Sequence, residues 1–233
     1  MDATVIQVSA EFRGSVDPRV VSITEPGGAA AEQFRMLHLR LDQARAQRPL
    51  AVVALTSAVA GEGKSVTVAN LAACAARRGR RAVLVDCDLR RPRVAQLFGI
   101  DDEPGIAAVL AGRRRLEDAL CIGPERLTLL PAGAAPDDPG GLFASDAYRA
   151  VLDRLRKTYD EIYVDLPPVL PFADATAAAA SADGVIVVVR NAETRAELVE
   201  EAVGSLAGAP MLGCVLTGCG DGAVAYRKYY GRR

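Results

Sequence analysis

The stretch AVVALTSAVAGEGKSVTVANLAACAARRG, residues 51–79, decides the fold of this chain. It begins as an apolar run with β-branched residues, which is typical of a strand buried on both faces. A turn that contains Gly61 and Gly63 follows, and the alanine-rich segment after it predicts a helix that ends near Gly79. A strand, a glycine turn and a helix in this order are the local structure of a phosphate-binding loop.

The turn carries the residue types that a nucleotide site needs. It reads Gly61-Glu62-Gly63-Lys64-Ser65 and continues with Val66. Backbone N–H groups of such a turn, joined to a helix N-terminus, can surround phosphate oxygens. Lys64 supplies a positive charge for the β- and γ-phosphates, and Ser65 offers its hydroxyl to Mg²⁺. We therefore expect ATP and Mg²⁺ as cofactors, although the full pattern has glycine where this chain has Ala58.

Apolar strand-like runs alternate with helical patterns along the rest of the chain. The predicted strands are Leu50–Thr56, Ala82–Asp86, Leu127–Leu130, Glu161–Asp165, Gly184–Val189 and Leu212–Leu216. The predicted helices are Ala29–Gln47, Ser65–Arg78, Val94–Phe98, Ile106–Ala111, Ser145–Thr158 and Ala196–Leu206. This alternation indicates right-handed βαβ crossovers and buried strands. The expected fold is the three-layer α/β fold of P-loop NTPases, Rossmann-like, with a mostly parallel central sheet flanked by helices.

Aspartates end two further predicted strands. The run AVLVDCDLRRP, residues 82–92, ends a strand with Asp86 and Asp88, and EIYVDLPPVLP, residues 161–171, ends another with Asp165. Because ligands bind at the carboxyl ends of parallel strands, we expect the three carboxylates to converge on the metal and the γ-phosphate. Taken singly, each aspartate could instead cap a turn.

Length and composition limit the classes of protein that fit. The 233 residues favour a single domain, and a net charge of −1 gives no overall basic field, so no nucleic-acid partner is expected. His38 is the sole histidine, which excludes a Ser-His-Asp triad and a histidine-based metal site. No apolar run reaches the roughly 18 residues of a membrane span, so the expected location is the cytoplasm.

Three parts of the chain are predicted. Residues 1–28 are an N-terminal arm or partly ordered lead-in, because glycines and prolines interrupt their short apolar runs. Residues 29–217 form the ATP-binding domain. Residues 218–233 form a flexible C-terminal tail that carries three tyrosines, Tyr226, Tyr229 and Tyr230.

The combination of motifs resembles the bacterial tyrosine kinases of capsule and exopolysaccharide synthesis. In that family GEGKS is the Walker A motif, LVDCDLRRP is Walker A′ and IYVDLPP is Walker B. The similarity continues through LLPAGAAPDDP (129–139), ADGVIVVVR (182–190) and the terminal YRKYY (226–230). Three departures stand out: Thr217 replaces a frequent adenine-reading Asn, the helix motif ExxRxxR ends at His38, and the tyrosine tail is short.

The resemblance implies a protein-tyrosine autokinase. Its implied acceptors are Tyr226, Tyr229 and Tyr230 of a neighbouring subunit, and its implied phosphate donor is ATP. Lys64 and Mg²⁺ would neutralise charge on the transferring phosphoryl group. Ser65, Asp86 and Asp165 would hold the metal directly or through water. Asp86 or Asp88 would accept the tyrosine proton; analogy favours Asp86, and the sequence does not rank the two.

The resemblance also implies partners. One is a second copy of the chain, in a homo-oligomer built partly by the helix segment from Glu32 to His38. The other is a membrane-bound polysaccharide co-polymerase that activates the kinase and recruits it to the inner face of the membrane, since no span of its own is predicted. Two alternatives remain open: a nucleotide-dependent assembly switch in polysaccharide export that phosphorylates nothing, and a small-molecule kinase. The clustered tyrosines favour the autokinase over both.

Overall fold

The computed structural model describes residues 11–135 and 139–219 of the chain. Within these ranges a seven-stranded sheet carries helices on both faces. The strands are β1 (Val52–Ser57), β2 (Ala82–Asp86), β3 (Cys121–Ile122), β4 (Thr128–Leu130), β5 (Glu161–Asp165), β6 (Gly184–Arg190) and β7 (Met211–Thr217). The helices are α1 (Val21–Thr24), α2 (Ala29–Arg45), α3 (Lys64–Arg77), α4 (Val94–Phe98), α5 (Ile106–Leu110), α6 (Leu116–Ala119), α7 (Pro139–Phe143), α8 (Asp146–Thr158), α9 (Ala173–Ala179) and α10 (Ala196–Ser205).

The strands lie in the order β3-β4-β2-β5-β1-β6-β7. Neighbouring strands are parallel except for β3 and β4, which are antiparallel. The predicted α/β fold is therefore confirmed. The carboxyl ends of β1, β2 and β5 come together in the middle of the sheet, and this arrangement brings the glycine loop close to the aspartates of the other two motifs.

Alternate residues of the central strands pack into two apolar layers. Val52 and Ala54 of β1 face the layer that includes α8, while Val53 and Leu55 face the layer that includes α3. Both layers exclude water, so β1, β2 and β5 are buried along their whole length. The expectation of buried strands does not extend to β7. This strand lies at the edge of the sheet, and Leu216 is 58% exposed.

The segment before α2 packs on the surface of α3 and α4. The Asp17 N–H donates to the Leu97 carbonyl over 2.8 Å. Asn70 of α3 accepts from the Ser22 N–H at 2.8 Å, and its amide donates to the Arg19 carbonyl at 2.9 Å. The domain boundary at residue 29 stays a prediction, but residues 17–22 have fixed positions against the domain.

None of the helices in the described part of the chain combines the length and the apolar character that crossing a bilayer requires.

Candidate active site

The loop between β1 and α3 has the backbone conformation that its glycines allow. Gly61 and Gly63 have φ angles of 92° and 88°, in the left-handed region that favours glycine. A Cβ atom on Gly63 would lie 3.4 Å from the methyl group of Thr217. Helix α3 begins at Lys64, directly after the loop, so the N–H groups of its first turn are available to phosphate oxygens.

Glu62 holds this loop in shape with its buried carboxylate. Oε2 accepts the Val59 N–H at 2.9 Å, and Oε1 accepts the hydroxyl of Thr194. The Thr217 hydroxyl donates to the Glu62 carbonyl at 2.6 Å, which ties the end of β7 to the loop. The Glu62 side chain is therefore committed to the protein, and its backbone N–H is the group that remains to bind a nucleotide.

Lys64 lies among the aspartates that the sequence analysis selected. Its Nζ is 2.7 Å from Asp165 Oδ1, 3.3 Å from Asp88 Oδ2 and 3.3 Å from Ser65 Oγ. Burial alone would lower the pKa of Lys64, but the charges of Asp165 and Asp88 outweigh it and raise the pKa above its ordinary value. The ammonium group is therefore a permanent charge that these carboxylates share.

Asp86 and Asp88 differ in their surroundings although only Cys87 separates them in the sequence. Asp86 is fully buried and lies opposite Asp165 in the register of β2 and β5. Its Oδ1 accepts the Asp88 N–H at 3.0 Å, and its Oδ2 accepts the N–H groups of Arg93 and Val94, each at 2.9 Å. Asp86 thus fixes the turn after β2 and the start of α4. Burial, with the neighbouring Asp165 charge, raises the pKa of Asp86 to about 7.

Asp165 offers an unused oxygen beside Ser65. Its Oδ1 faces Lys64, whereas the buried Oδ2 has no hydrogen-bond partner among the described residues. Burial raises the pKa of Asp165, although Lys64 acts in the opposite direction. Carboxylate and hydroxyl oxygens are the ligands that Mg²⁺ prefers, so the oxygens of Asp165 and Ser65, beside Asp86 at the paired position of β2, fit this ion.

Two cavities meet at the loop. One, of about 560 Å³, is lined by the loop, Asp88 and the Pro168–Phe172 region, together with four arginines: Arg19, Arg90, Arg91 and Arg93. The other, of about 800 Å³, lies between α2 and the end of β7, next to Thr217. Sequence reasoning did not select the arginines. Three of them follow Asp88 in the run LRRPR, a cluster of charge that could have indicated an anion site, whereas Arg19 carries no such signal.

A second cluster of ionisable side chains lies at the start of β5, at the opposite end of the strand from Asp165. His38 Nε2 is 3.0 Å from Glu161 Oε2, and His38 Nδ1 is 3.7 Å from Asp42 Oδ2. These three residues could supply metal ligands within 4.8 Å of one another. However, Arg45 and Arg80 already pair with Glu161 at 3.0 and 3.5 Å. The cluster therefore attaches α2 to the sheet through ion pairs in which arginines already balance the charge of Glu161.

Comparisons with known proteins agree with this geometry. Residues 50–201 match the AAA domain family AAA_31. The chain is 32% identical over 225 residues to the tyrosine-protein kinase YwqD of Bacillus subtilis (strain 168), which is 95% of each protein. This chain belongs to the bacterial tyrosine-kinase family. The kinase domain of the Escherichia coli tyrosine kinase ETK superposes on it with a TM-score of 0.84 and 27% identity, covering 89% of this chain and 82% of that one.

The name of one longer relative refers to polysaccharide biosynthesis and transport. The succinoglycan biosynthesis transport protein ExoP of Rhizobium meliloti (strain 1021) is 32% identical over 228 residues. The match covers 91% of this chain and 29% of ExoP.

The inferred family resemblance is confirmed, while the role of each site residue stays a prediction. The structure brings Gly61, Glu62, Gly63, Lys64, Ser65, Val66, Asp86, Asp88 and Asp165 to one edge of the sheet. Tyr226, Tyr229 and Tyr230 lie outside the described residues.

Proposed function

We propose that this chain is an ATP- and Mg²⁺-dependent protein-tyrosine autokinase that regulates capsular or exopolysaccharide synthesis and export. The observation that carries the proposal is the buried Lys64 ammonium, shared by Asp165 and Asp88 beside a loop with two left-handed glycines. This arrangement suits phosphoryl transfer, in which catalysis consists mainly of positioning and charge stabilisation.

The loop and the two cavities support a nucleotide that crosses the start of α3. The N–H groups of the loop and of the first turn would receive the phosphates, and Lys64 would turn from Asp165 towards the β- and γ-phosphates. Ser65, Asp86 and Asp165 are the proposed metal residues, with Asp86 acting through water because its oxygens already accept backbone N–H groups. When bound, Mg²⁺ would neutralise charge on the transferring phosphoryl group.

The acceptor tyrosine must lose its proton as its oxygen attacks the γ-phosphorus and the bond to the β-phosphate oxygen breaks, which releases ADP. A base is useful because the pKa of tyrosine is about 10. Asp88 lines the cavity and can meet a phenol there. Asp86 does not line the cavity, but its pKa of about 7 suits proton transfer near neutral pH. The cavity lining favours Asp88 and the family resemblance favours Asp86, and we keep both as catalytic candidates.

The proposed acceptors are Tyr226, Tyr229 and Tyr230 of a neighbouring subunit. From Thr217 to Tyr226 the chain can span at most about 33 Å, at roughly 3.3 Å for each residue, which is enough to reach an adjacent copy. Helix α2 supports a contact between copies, because Met36 and Leu39 are 49% and 46% exposed at its surface.

The proposed setting is a polysaccharide export system at the inner face of the cell membrane. The similarity to ExoP, a succinoglycan biosynthesis transport protein, supports this pathway. The proposed activator is a membrane-bound polysaccharide co-polymerase that docks on the kinase and recruits it. An assembly switch without kinase activity would use the same nucleotide site, so the phosphorylation of tyrosine separates the two functions.

The test mixes two chains that are each inactive alone. One carries Lys64→Met with an intact tail, and the other ends at Cys219 with an intact site. After incubation with ATP and Mg²⁺, mass spectrometry should find phosphate on the tail tyrosines of the Lys64→Met chain. An Asp165→Asn chain, which lacks a proposed metal ligand, serves as a second acceptor, in case Lys64→Met folds poorly.

The same reaction with the intact chain is the reference. If the intact chain, with a candidate activator segment, forms no phosphotyrosine, the kinase proposal fails. A nucleotide-dependent change in its sedimentation would then favour the assembly switch. If the intact chain is modified but the mixture is not, transfer between subunits is wrong.

A further inference from the structure

The segment before α2 brings an arginine to the phosphate-binding loop. Arg19 lines both cavities, together with Gly61, Gly63 and Val66 of the loop and the first turn of α3. Its backbone position is fixed, because the Asn70 amide donates to the Arg19 carbonyl at 2.9 Å. Asn70 is fully buried on α3, the same helix whose start would receive the phosphates. The arginine and the loop are therefore attached to one rigid element.

The Arg19 side chain rests on a neighbouring carboxylate at the surface. Its Nε is 2.9 Å from Asp17 Oδ1, and its Nη2 is 2.9 Å from Asp17 Oδ2. The side chain is 60% exposed, and exposed ion pairs contribute little to stability, so the guanidinium can exchange one anion for another. The hydrogen bonds from Arg19 lower the pKa of Asp17 to about 2, so this carboxylate stays charged at neutral pH.

One other arginine of the same cavity, Arg90, is held more firmly. Arg90 pairs with Asp174 at 2.8 Å, and its guanidinium lies 4.3 Å from the centre of the Phe172 ring. Asp174 is buried, so releasing Arg90 would leave an uncompensated charge inside the protein. Asp17 is partly exposed, and without the guanidinium its Oδ1 would still accept the Arg19 backbone N–H, now at 2.8 Å.

We propose that Arg19 binds the phosphate chain of the nucleotide and leaves Asp17 when ATP or ADP enters. The inference rests on the proposed nucleotide site and adds to it a residue outside the phosphate-binding motif. Three aspartates surround the single Lys64 ammonium, so a polyphosphate needs further positive charge nearby. The planar guanidinium matches two phosphate oxygens at once, as it now matches the two oxygens of Asp17.

The experiment measures the Kd of Mg-ATP, Mg-ADP and adenosine for the full chain and four variants. Arg19→Ala should raise the Kd of both nucleotides by roughly tenfold or more, which is typical of losing a hydrogen bond between charged groups. Arg19→Lys should be intermediate. Asp17→Asn should lower both Kd values, because it removes the competing charge while an amide oxygen can still accept the Arg19 N–H. Arg13→Ala, a change at an exposed arginine of the same segment, is the control.

A purely structural role of the segment predicts a different pattern. Asp17→Asn and Arg19→Ala would then act in the same direction, both would lower the melting temperature without nucleotide, and adenosine binding would weaken as well. That pattern overturns the inference, as does an Arg13→Ala effect equal to that of Arg19→Ala. If Arg19→Ala leaves the Kd of both nucleotides unchanged while the unmodified chain binds them, this inference fails and the proposed function stands. Failure of the unmodified chain to bind Mg-ATP overturns the proposed function and this inference together.

Discussion

Replacing Lys64 by methionine should destabilise the nucleotide-free protein as well as abolish phosphoryl transfer. The Lys64 ammonium is buried, 2.7 Å from Asp165 and 3.3 Å from Asp88, and Asp86 lies nearby in register with Asp165. Methionine has a similar length but carries no charge. The variant would therefore keep the packing of the lysine stem and leave buried carboxylates without their cation.

The expected loss follows from two routes that give similar values. Removing one partner of a buried ion pair costs about 3–5 kcal/mol. The variant can instead protonate a carboxylate, which at pH 7 costs about 4 kcal/mol for an aspartate with an ordinary pKa of about 4. Because burial already raises the pKa of Asp165, protonation costs less there. The free energy of unfolding should therefore fall by about 3 kcal/mol. In a chain of this size that loss lowers the melting temperature by about 6–12 °C.

The loss should depend on pH, and denaturant unfolding at several pH values measures it. In Lys64→Met the pKa values of Asp86 and Asp165 rise further above their unfolded values. Their contribution to stability is therefore present below about pH 4 and lost as the pH rises through the raised folded values. Lys64 itself stays charged throughout, because its own pKa is raised. The difference from the unmodified chain should be small near pH 4 and full by about pH 8.

A double variant supplies the control. Lys64→Met with Asp165→Asn removes both charges of the closest pair and should recover part of the loss, which gives a coupling energy for the pair. Equal stability of Lys64→Met and the unmodified chain at about pH 8 would refute the reasoning. The reasoning would also be refuted if adding Asp165→Asn to Lys64→Met lowered stability as much as the single Asp165→Asn change lowers it in the unmodified chain.

Two further predictions concern Asp86 and helix α2. The folded pKa of Asp86 is about 7 and exceeds its unfolded value, so this group should reduce the free energy of unfolding by up to about 4 kcal/mol as the pH rises from about 4 to 8. Asp86→Asn should flatten this pH dependence in denaturant titrations. An unchanged pH dependence in the variant would contradict the prediction. In helix α2 the partly exposed Glu32 carboxylate accepts the Arg35 Nε–H at 2.8 Å. Replacing both residues by alanine should shift the sedimentation profile towards smaller species. An unchanged profile would exclude this helix face as the contact between copies.

The fold was predictable from sequence wherever a local pattern was long enough. The predicted bounds of Ala82–Asp86 and Glu161–Asp165 coincide with β2 and β5, because continuous apolar runs that end at an aspartate are distinctive. Strand β3 has two residues and no detectable period, so it was not predicted. The exposure of Leu216 also escaped prediction, because it depends on the place of β7 at the sheet edge, and sequence patterns do not give strand order.

The meeting of the loop residues and the three aspartates was predictable from sequence, but the partners of these side chains were not. Lys64 and Asp165 belong to motifs that are separated by 101 positions, and nothing local states that they form an ion pair without nucleotide. The commitment of the Glu62 carboxylate to the loop depends on Thr194, far along the chain. Arg19 was missed because glycines and prolines around it suggested an arm, whereas its position depends on a hydrogen bond from Asn70.

The ion pairs at Lys64 also give a physical reason why nucleotide and metal would bind together. For Lys64 to reach a phosphate it must leave Asp165, and Asp165 would then be a fully buried carboxylate with both oxygens uncompensated. Such a group is costly unless a new cation replaces the ammonium. A divalent cation beside Ser65 would meet that need, and its charge would also favour the phosphates. The phosphates would pair with Lys64, and the cation would pair with the Asp165 carboxylate that Lys64 leaves. The affinities for nucleotide and cation should therefore be reciprocally linked through the Lys64–Asp165 pair.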